Sequence, residues 1–279
     1  MRYIQSFQND SAIQEAVDNK TLGKPYVALN DQTGKIDWNG KDIDYSKKYL
    51  TFEILTGGTI YFYANGNNAA FLRTIEYSKN GGEWVSITSS NSGSGTKICD
   101  ADAGDIVMFR GNNNNIWHNA SYGTRFNFSS GFRYNIYGNI MSILYKDDFI
   151  TRKTLDKNYY YQFKSLFAHT GVIDASNLVL PATTLAQGCY DNMFSDCTSL
   201  ITAPELPATT LASSCYYRMF YGCSALNHIK CLATNISASS CTTEWVTNVP
   251  SGGTFVKAAS ATWPTGVSGI PSGWTVIEE

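Results

Sequence analysis

Charge is scarce in this sequence: 16% of its 279 residues are Asp, Glu, Lys or Arg, against roughly 25% in typical soluble domains. The 21 basic and 23 acidic residues leave a net charge of -2 with no long run of either sign, so no grip on nucleic acid or anionic membrane is expected. No apolar stretch approaches the roughly 20 residues of a membrane span. The first ten residues lack the apolar region of a secretory leader, so no signal peptide is expected in this chain. Histidine is nearly absent too, with only His118, His169 and His228, far apart. There is no nucleophile elbow, phosphate loop, dinucleotide fingerprint or metalloprotease helix. These absences point to a protein that is not an enzyme, uses no cofactor and binds no metal.

Aromatic residues, in contrast, reach 14%, with 18 Tyr among them. The surface must be wetted mainly by Ser, Thr, Asn and Gly, a habit of extracellular β proteins and virion proteins. The length suffices for two or three domains with cores of their own. Residues 1–45 read as a small strand-helix-strand-strand module. A strand spans 3–7, Asn9 or Asp10 caps a helix whose apolar stripe is Ile13, Ala16 and Val17, and strands at 26–29 and 36–38 flank a turn. So small a unit is expected to lean on a neighbour or another subunit.

Residues 46–146 read as a β-sandwich, because short strands recur with turn signals between them. The predicted strands are 49–54, 59–63, 74–78, 84–87, 106–110, 125–128 and 134–136, with hairpin turns at Gly57-Gly58 and at Asn80-Gly81-Gly82. The run from Asn112 to Asn115 is a loop tip. It is either a solvated connection or a binding loop, with Trp117 and His118 beside it.

From 147 to 250 the sequence repeats. Leu180-Pro181-Ala182-Thr183-Thr184-Leu185-Ala186 recurs as Leu206-Pro207-Ala208-Thr209-Thr210-Leu211-Ala212, an offset of 26 residues. Cys189, Tyr190, Met193, Phe194, Cys197 and Leu200 likewise map onto Cys215, Tyr216, Met219, Phe220, Cys223 and Leu226. A degraded third copy keeps Leu232, Ala238 and Cys241 and puts Trp245 and Val246 where Met and Phe stood. Leu166-Phe167 reads as the end of an earlier copy. A fixed period of this size signals a solenoid. The four-residue spacing of Cys189, Met193 and Cys197 predicts two to three helical turns over 186–197 with one buried face. Leu200, Ala203 and Leu206 would cross the opposite wall in extended form, kept short by Pro204 and Pro207. Residues 251–279, with strand-like segments around Trp263-Pro264, should cap the stack.

The order Leu, Pro, a short Thr-Leu run, Cys-Tyr, Met-Phe, Gly-Cys and Leu resembles the BspA-type leucine-rich repeat of surface proteins from gut bacteria and their phages. The resemblance is carried by 166–241, where thirteen of twenty-six positions are identical between 180–205 and 206–231. Residues 49–144 are similar to the β domain that often precedes such repeats, and the start, with Pro25-Tyr26-Val27-Ala28, resembles the leading module of some gut-phage structural proteins. That family implies attachment or adhesion without catalysis. The expected function is therefore recognition of a cell-surface glycan or protein, as a virion component or a bacterial adhesin at the cell surface. Residues 1–45 would contact other virion proteins or a second copy of the chain. The rival readings are a purely structural virion component and, from another class, a glycan-degrading enzyme.

Within the repeat, Asp191 becomes Tyr217, Asn192 becomes Arg218, Ser195 becomes Tyr221 and Asp196 becomes Gly222. These are the positions left after the buried ones are assigned, so they should face solvent. Neutral drift and a ligand surface centred on Tyr217, Arg218 and Tyr221 both account for them, Tyr and Arg being common carriers of recognition. The seven cysteines lack the close spacing of zinc knuckles and read chiefly as small buried hydrophobes. Asp42 and Asp44 read as a solvated turn. Asp147-Asp148 is a poor acid pair, since neighbours on a strand point to opposite faces. Ser78 to Trp84 looks like a sialidase-type hairpin, but a single copy is a folding device.

Overall fold

The computed structural model describes residues 43–65, 72–116, 119, 121 and 123–279, together with 28–29 and 36–37. Contacts divide the chain into two compact units, Met1–Asp44 and Tyr45–Glu279. In the first, β1 (Ala28–Leu29) pairs antiparallel with β2 (Ile36–Asp37), where the sequence predicts two strands around a turn. The expected first strand, the helix and Asp42 lie outside the described residues, as do Trp117 and His118.

The second unit is mainly β. Its first eight strands are β3 (Leu50–Thr56), β4 (Gly58–Asn65), β5 (Thr74–Lys79), β6 (Val85–Thr88), β7 (Thr96–Ala101), β8 (Ile106–Gly111), β9 (Gly123–Phe128) and β10 (Arg133–Asn139). One helical turn, α1 (Ser142–Tyr145), precedes β11 (Asn177–Val179), β12 (His228–Cys231), β13 (Thr254–Lys257) and β14 (Thr275–Glu278). The strands form a six-stranded sheet in the order β11-β10-β3-β8-β5-β6 and three-stranded sheets ordered β7-β4-β9 and β12-β13-β14. Period-two alternation explains the first two of these sheets. Ile60, Phe62 and Ala64 of β4 point inward while Tyr61 and Tyr63 point out. The inward faces meet in aromatic contacts: the Phe126 ring of β9 lies 4.9 Å from Phe52 of β3 and 4.8 Å from Phe109 of β8. Each such ring removed from water contributes roughly 1.5–3 kcal/mol.

Two details differ from expectation. Gly57-Gly58 is no hairpin, because β3 and β4 belong to different sheets and the chain crosses between them. Glycine is needed at the crossing: a Cβ on Gly57 would stand 2.6 Å from the Ala101 carbonyl oxygen, and one on Gly58 would overlap the Ser129 hydroxyl. β7 has no counterpart among the predicted strands, its Lys97, Cys99 and Asp100 masking the alternation. Asn80-Gly81-Gly82 does turn the β5–β6 hairpin, with φ of 53° and 75° at Asn80 and Gly81, as a type I′ turn requires. The loop after β8 is pinned rather than free: Asn115 is buried and its carbonyl and side-chain oxygens accept from Arg73 at 2.7 and 2.8 Å.

The repeats adopt a different local structure from the one their spacing predicts. Residues 186–197 form no helix but a ribbon of consecutive turns in which every fourth residue, Gly188, Asn192 and Asp196, takes a positive φ of 53–62°. Alternate amides close turns within the coil, as Asp191 N to Gly188 O and Met193 N to Tyr190 O, both at 3.1 Å. The intervening amides donate to the next coil, as Tyr190 N to Cys215 O at 3.0 Å and Asn192 N to Tyr217 O at 2.8 Å. A four-residue recurrence fits a helix and a turn ribbon equally well. The ribbon wins because a helix would consume every amide internally, whereas the ribbon leaves half of them to join one coil to the next. The same pattern links 161–169 to 187–195 and 214–222 to 239–247.

The opposite wall is a parallel ladder. Bridges join Tyr134 to Val172, Asp174 to Thr202 and Thr202 to His228, after which β12, β13 and β14 continue it. Between the walls run two aromatic columns. Phe163, Tyr190 and Tyr216 stack at 5.7 and 6.1 Å, and Phe167, Phe194 and Phe220 at 5.4 and 5.8 Å. Phe126 of β9 stacks on Phe167 at 5.9 Å, so the columns run on into the sheets. Met193 and Met219 are fully buried, and all seven cysteines are free thiols, six of them buried. Trp245 takes over the column end against Trp263 at 5.4 Å, while the indole nitrogens of Trp245, Trp263 and Trp274 donate to backbone carbonyls. No helix among the described residues is long and apolar enough to cross a membrane.

Candidate functional site

The turn ribbons form one wall, and their repeat sets equivalent residues side by side. Lys164, Asp191 and Tyr217 make one row, Ser165, Asn192, Arg218 and Glu244 the next. The rows sit on the backbone bonds that join Ser165 N to Asp191 O, Asn192 N to Tyr217 O and Arg218 N to Thr243 O. Because the coils are fixed by these bonds, the side chains are held at known separations rather than on a mobile loop.

Tyr217, Arg218 and Tyr221 come together on the turn wall. All three are partly exposed, and the Arg218 guanidinium lies 5.3 Å from each tyrosine ring, within cation–π range. It also pairs with Glu244, which raises its pKa above the ordinary arginine value. Two of the remaining exchanged positions behave differently. Asp191 is only 5% exposed and Ser195 6%, so neither faces solvent as expected. The reason is the ribbon: Asp191 is drawn along its own row toward the preceding coil, where Lys164 Nζ meets its Oδ2 at 2.9 Å, while Asn192 donates to its other oxygen. Burial pushes the Asp191 carboxyl above its usual value, and Lys164, Asn192 and Arg218 offset part of that rise.

Asn192 instead lines a cleft of about 390 Å³ at the corner between the outer face of β4 and β9 and the turn wall. Tyr63 and Arg125 face each other in register across β4 and β9, with the guanidinium 5.6 Å from the ring. Lys164, His169 and Ser195 line the cleft from the turn wall. His169 Nδ1 lies 3.5 Å from Asp196 Oδ2. Sequence reasoning missed Arg125, Lys164 and His169. Lys164 was reachable by carrying the repeat upstream with one extra residue, since Phe167 stacks on Phe194 and Phe163 on Tyr190, each 27 positions on. Arg125 carried no such signal, being one polar position in an alternating strand.

The carboxylates set aside as catalytic serve the framework. Asp147 accepts from Tyr49 Oη at 2.8 Å and from Arg110 at 2.9 Å. The hydrogen bond from Tyr49, with help from Arg110, holds the Asp147 carboxyl below its usual range despite some burial. Trp84, from the hairpin, lies 4.1 Å beneath the Arg110 guanidinium. Asp44 is exposed. Among the described residues no group of three or more His, Cys, Asp or Glu is placed to hold a metal. Compared with models of known protein families, with curated proteins and with solved structures, the chain matches none.

Proposed function

We propose that this chain is a non-enzymatic surface recognition protein, in which a small N-terminal module and a β-sandwich carry a short solenoid of BspA-like leucine-rich repeats. Its turn wall binds a cell-surface glycan or protein, in the setting of a phage or prophage virion or of a bacterial surface. The observation that carries this reading is the Tyr217-Arg218-Tyr221 cluster. These side chains do no packing work in the aromatic columns, yet hydrogen-bonded coils hold them together and partly exposed. Rigid, amphipathic rings around an arginine give contact area at low entropic cost.

A glycan array and a panel of bacterial cells test it. Binding by the native chain that falls at least about tenfold in Tyr217→Ala and in Tyr221→Ala, a loss of roughly 1.4 kcal/mol, is the expected result. The second reading, a structural virion component without a ligand of its own, is favoured by how completely the interior is given to stacking. Silence across the array and the cells selects it. Release of sugars from host polysaccharides by the purified chain would overturn both.

A further inference from the structure

We propose that the cleft between β4, β9 and the turn wall is a binding site for an acidic sugar, with Arg125 as the residue that takes its anionic group. The inference deepens the recognition reading above and rests on it. Among the described residues, Arg125 is the basic side chain of the cleft that has no carboxylate partner. Its guanidinium is part-buried, carries no ion pair and no side-chain hydrogen bond among the described residues, and has only the Tyr63 ring, 5.6 Å away, as a neighbour of note. The other basic side chains lining the cleft have carboxylate neighbours: Lys164 pairs with Asp191, and His169 Nδ1 lies 3.5 Å from Asp196. Burial lowers the Arg125 pKa from its usual value, a sign that the charge has given up water without a counter-charge in return. An arginine stays protonated even so, and its planar fork matches an oxyanion with two parallel N–H···O bonds.

The surroundings fit a sugar that carries such a group. The volume of about 390 Å³ lies in the roughly 300–1,000 Å³ range of small-molecule sites. Asn65 and Ser121 on the sheet side, and Ser165 and Asn192 on the turn side, line it with amides and hydroxyls suited to ring hydroxyl groups, Asn65 and Asn192 being held in place by donations to Ser121 O and to Asp191 respectively. Among the described residues no carboxylate lines the cleft, Asp191 and Asp196 standing behind Lys164 and His169. The anionic group has two sources with the same chemistry, a sugar carboxylate and a sugar sulfate ester, and the test separates them.

Titration of the full chain, followed by calorimetry or by chemical-shift change, would use N-acetylneuraminic acid, glucuronic acid, glucose 6-sulfate and neutral glucose. Binding of the carboxylate sugars, the sulfated sugar or both, with glucose at least about tenfold weaker and with affinity falling as salt rises, is expected. Preference for the first two probes assigns a carboxylate site, preference for the third a sulfate site. Arg125→Met should cost at least about tenfold, and Arg125→Lys, which keeps the charge but not the fork, should lie between. If Arg125→Met fails to fold, Asn65→Asp, at an exposed strand end, places a repelling charge in the cleft and should give the same loss. Equal binding of glucose and the acidic probes, or acidic-probe affinity unchanged in both variants, overturns the site. Array binding that depends on Tyr217 and Tyr221 but not on Arg125 or Asn65 also overturns it, while leaving the recognition reading intact.

Discussion

At the scale of single residues, the Lys164–Asp191 pair decides whether the first two coils fit. Their side chains are only 15% and 6% exposed, so removing one partner strands the other in a dry setting. Lys164→Met should lower stability near neutral pH by about 2–3 kcal/mol, under the roughly 3–5 of a fully buried pair because Lys164 keeps some contact with water. The pH dependence identifies the cause. A carboxyl raised by burial, as Asp191 is, binds its proton more tightly folded than unfolded. Its contribution is therefore fully present below the unfolded value near ~3.9 and is lost as pH rises through the folded value. Without Lys164 the folded value rises further, so the deficit of the variant should shrink as pH falls from about 7 toward about 5. Urea unfolding of both proteins at the two pH values measures it, and a deficit that stays constant would show that lost packing, not the stranded charge, is responsible. Asp191 also marks a limit of sequence reading. The exchange of Asp for Tyr between equivalent positions looks like surface variation, and only its neighbour in the preceding coil, one extra residue out of period, makes it a buried pair.

At the scale of elements, what is legible depends on whether local pattern and long-range bonds agree. Seven strands can be read because alternating Phe and Ile on β3 and β4, or the Asn80-Gly81 turn, reflect forces acting within a few residues. The turn ribbons cannot, because their backbone is chosen by partners 25 positions away, as in the bond from Tyr190 N to Cys215 O. The β5–β6 hairpin shows the same coupling on a smaller scale. Its tip is tied to the turn before β8 by Asp105, whose oxygens accept from Asn80 at 2.7 Å, from Lys79 at 2.7 Å and from the Asp102 amide at 2.8 Å. Burial alone would push the Asp105 carboxyl up, but these bonds outweigh it and hold it at about 2. A carboxyl lowered in the fold contributes stability that is present above its unfolded value and lost as pH falls through the folded one. Asp105→Asn should therefore cost about 1 kcal/mol at neutral pH, screening included. It should also flatten the acid limb of the stability curve between about pH 4 and about pH 2. Unfolding midpoints across that range test the expectation, and an unchanged acid limb would remove Asp105 as its source.

At the scale of the whole molecule, the ladder makes each coil answer chiefly to its two neighbours, so that length should be adjustable in whole repeats. The columns of rings would accept an added coil, since Tyr190 already stacks on Tyr216 and Phe194 on Phe220. The polar rows are less permissive. Duplicating residues 180–205 alone would set Asp191 against a second Asp191 in the same row, and duplicating 206–231 alone would set Arg218 against Arg218. Duplicating the block 180–231 avoids both. Its single new junction places Arg218 diagonal to Asp191, and these two charges already attract each other across the existing coils. Its other junctions are those of the native chain. The two-repeat duplication, whose second Asp191 has Arg218 at hand in place of Lys164, is therefore expected to unfold at a higher midpoint than the 180–205 duplication, by the several degrees that about 1–2 kcal/mol implies. Thermal unfolding followed by circular dichroism distinguishes the variants. Equal midpoints for the two would show that the backbone ladder alone sets the order of the coils, with the charged rows free to vary.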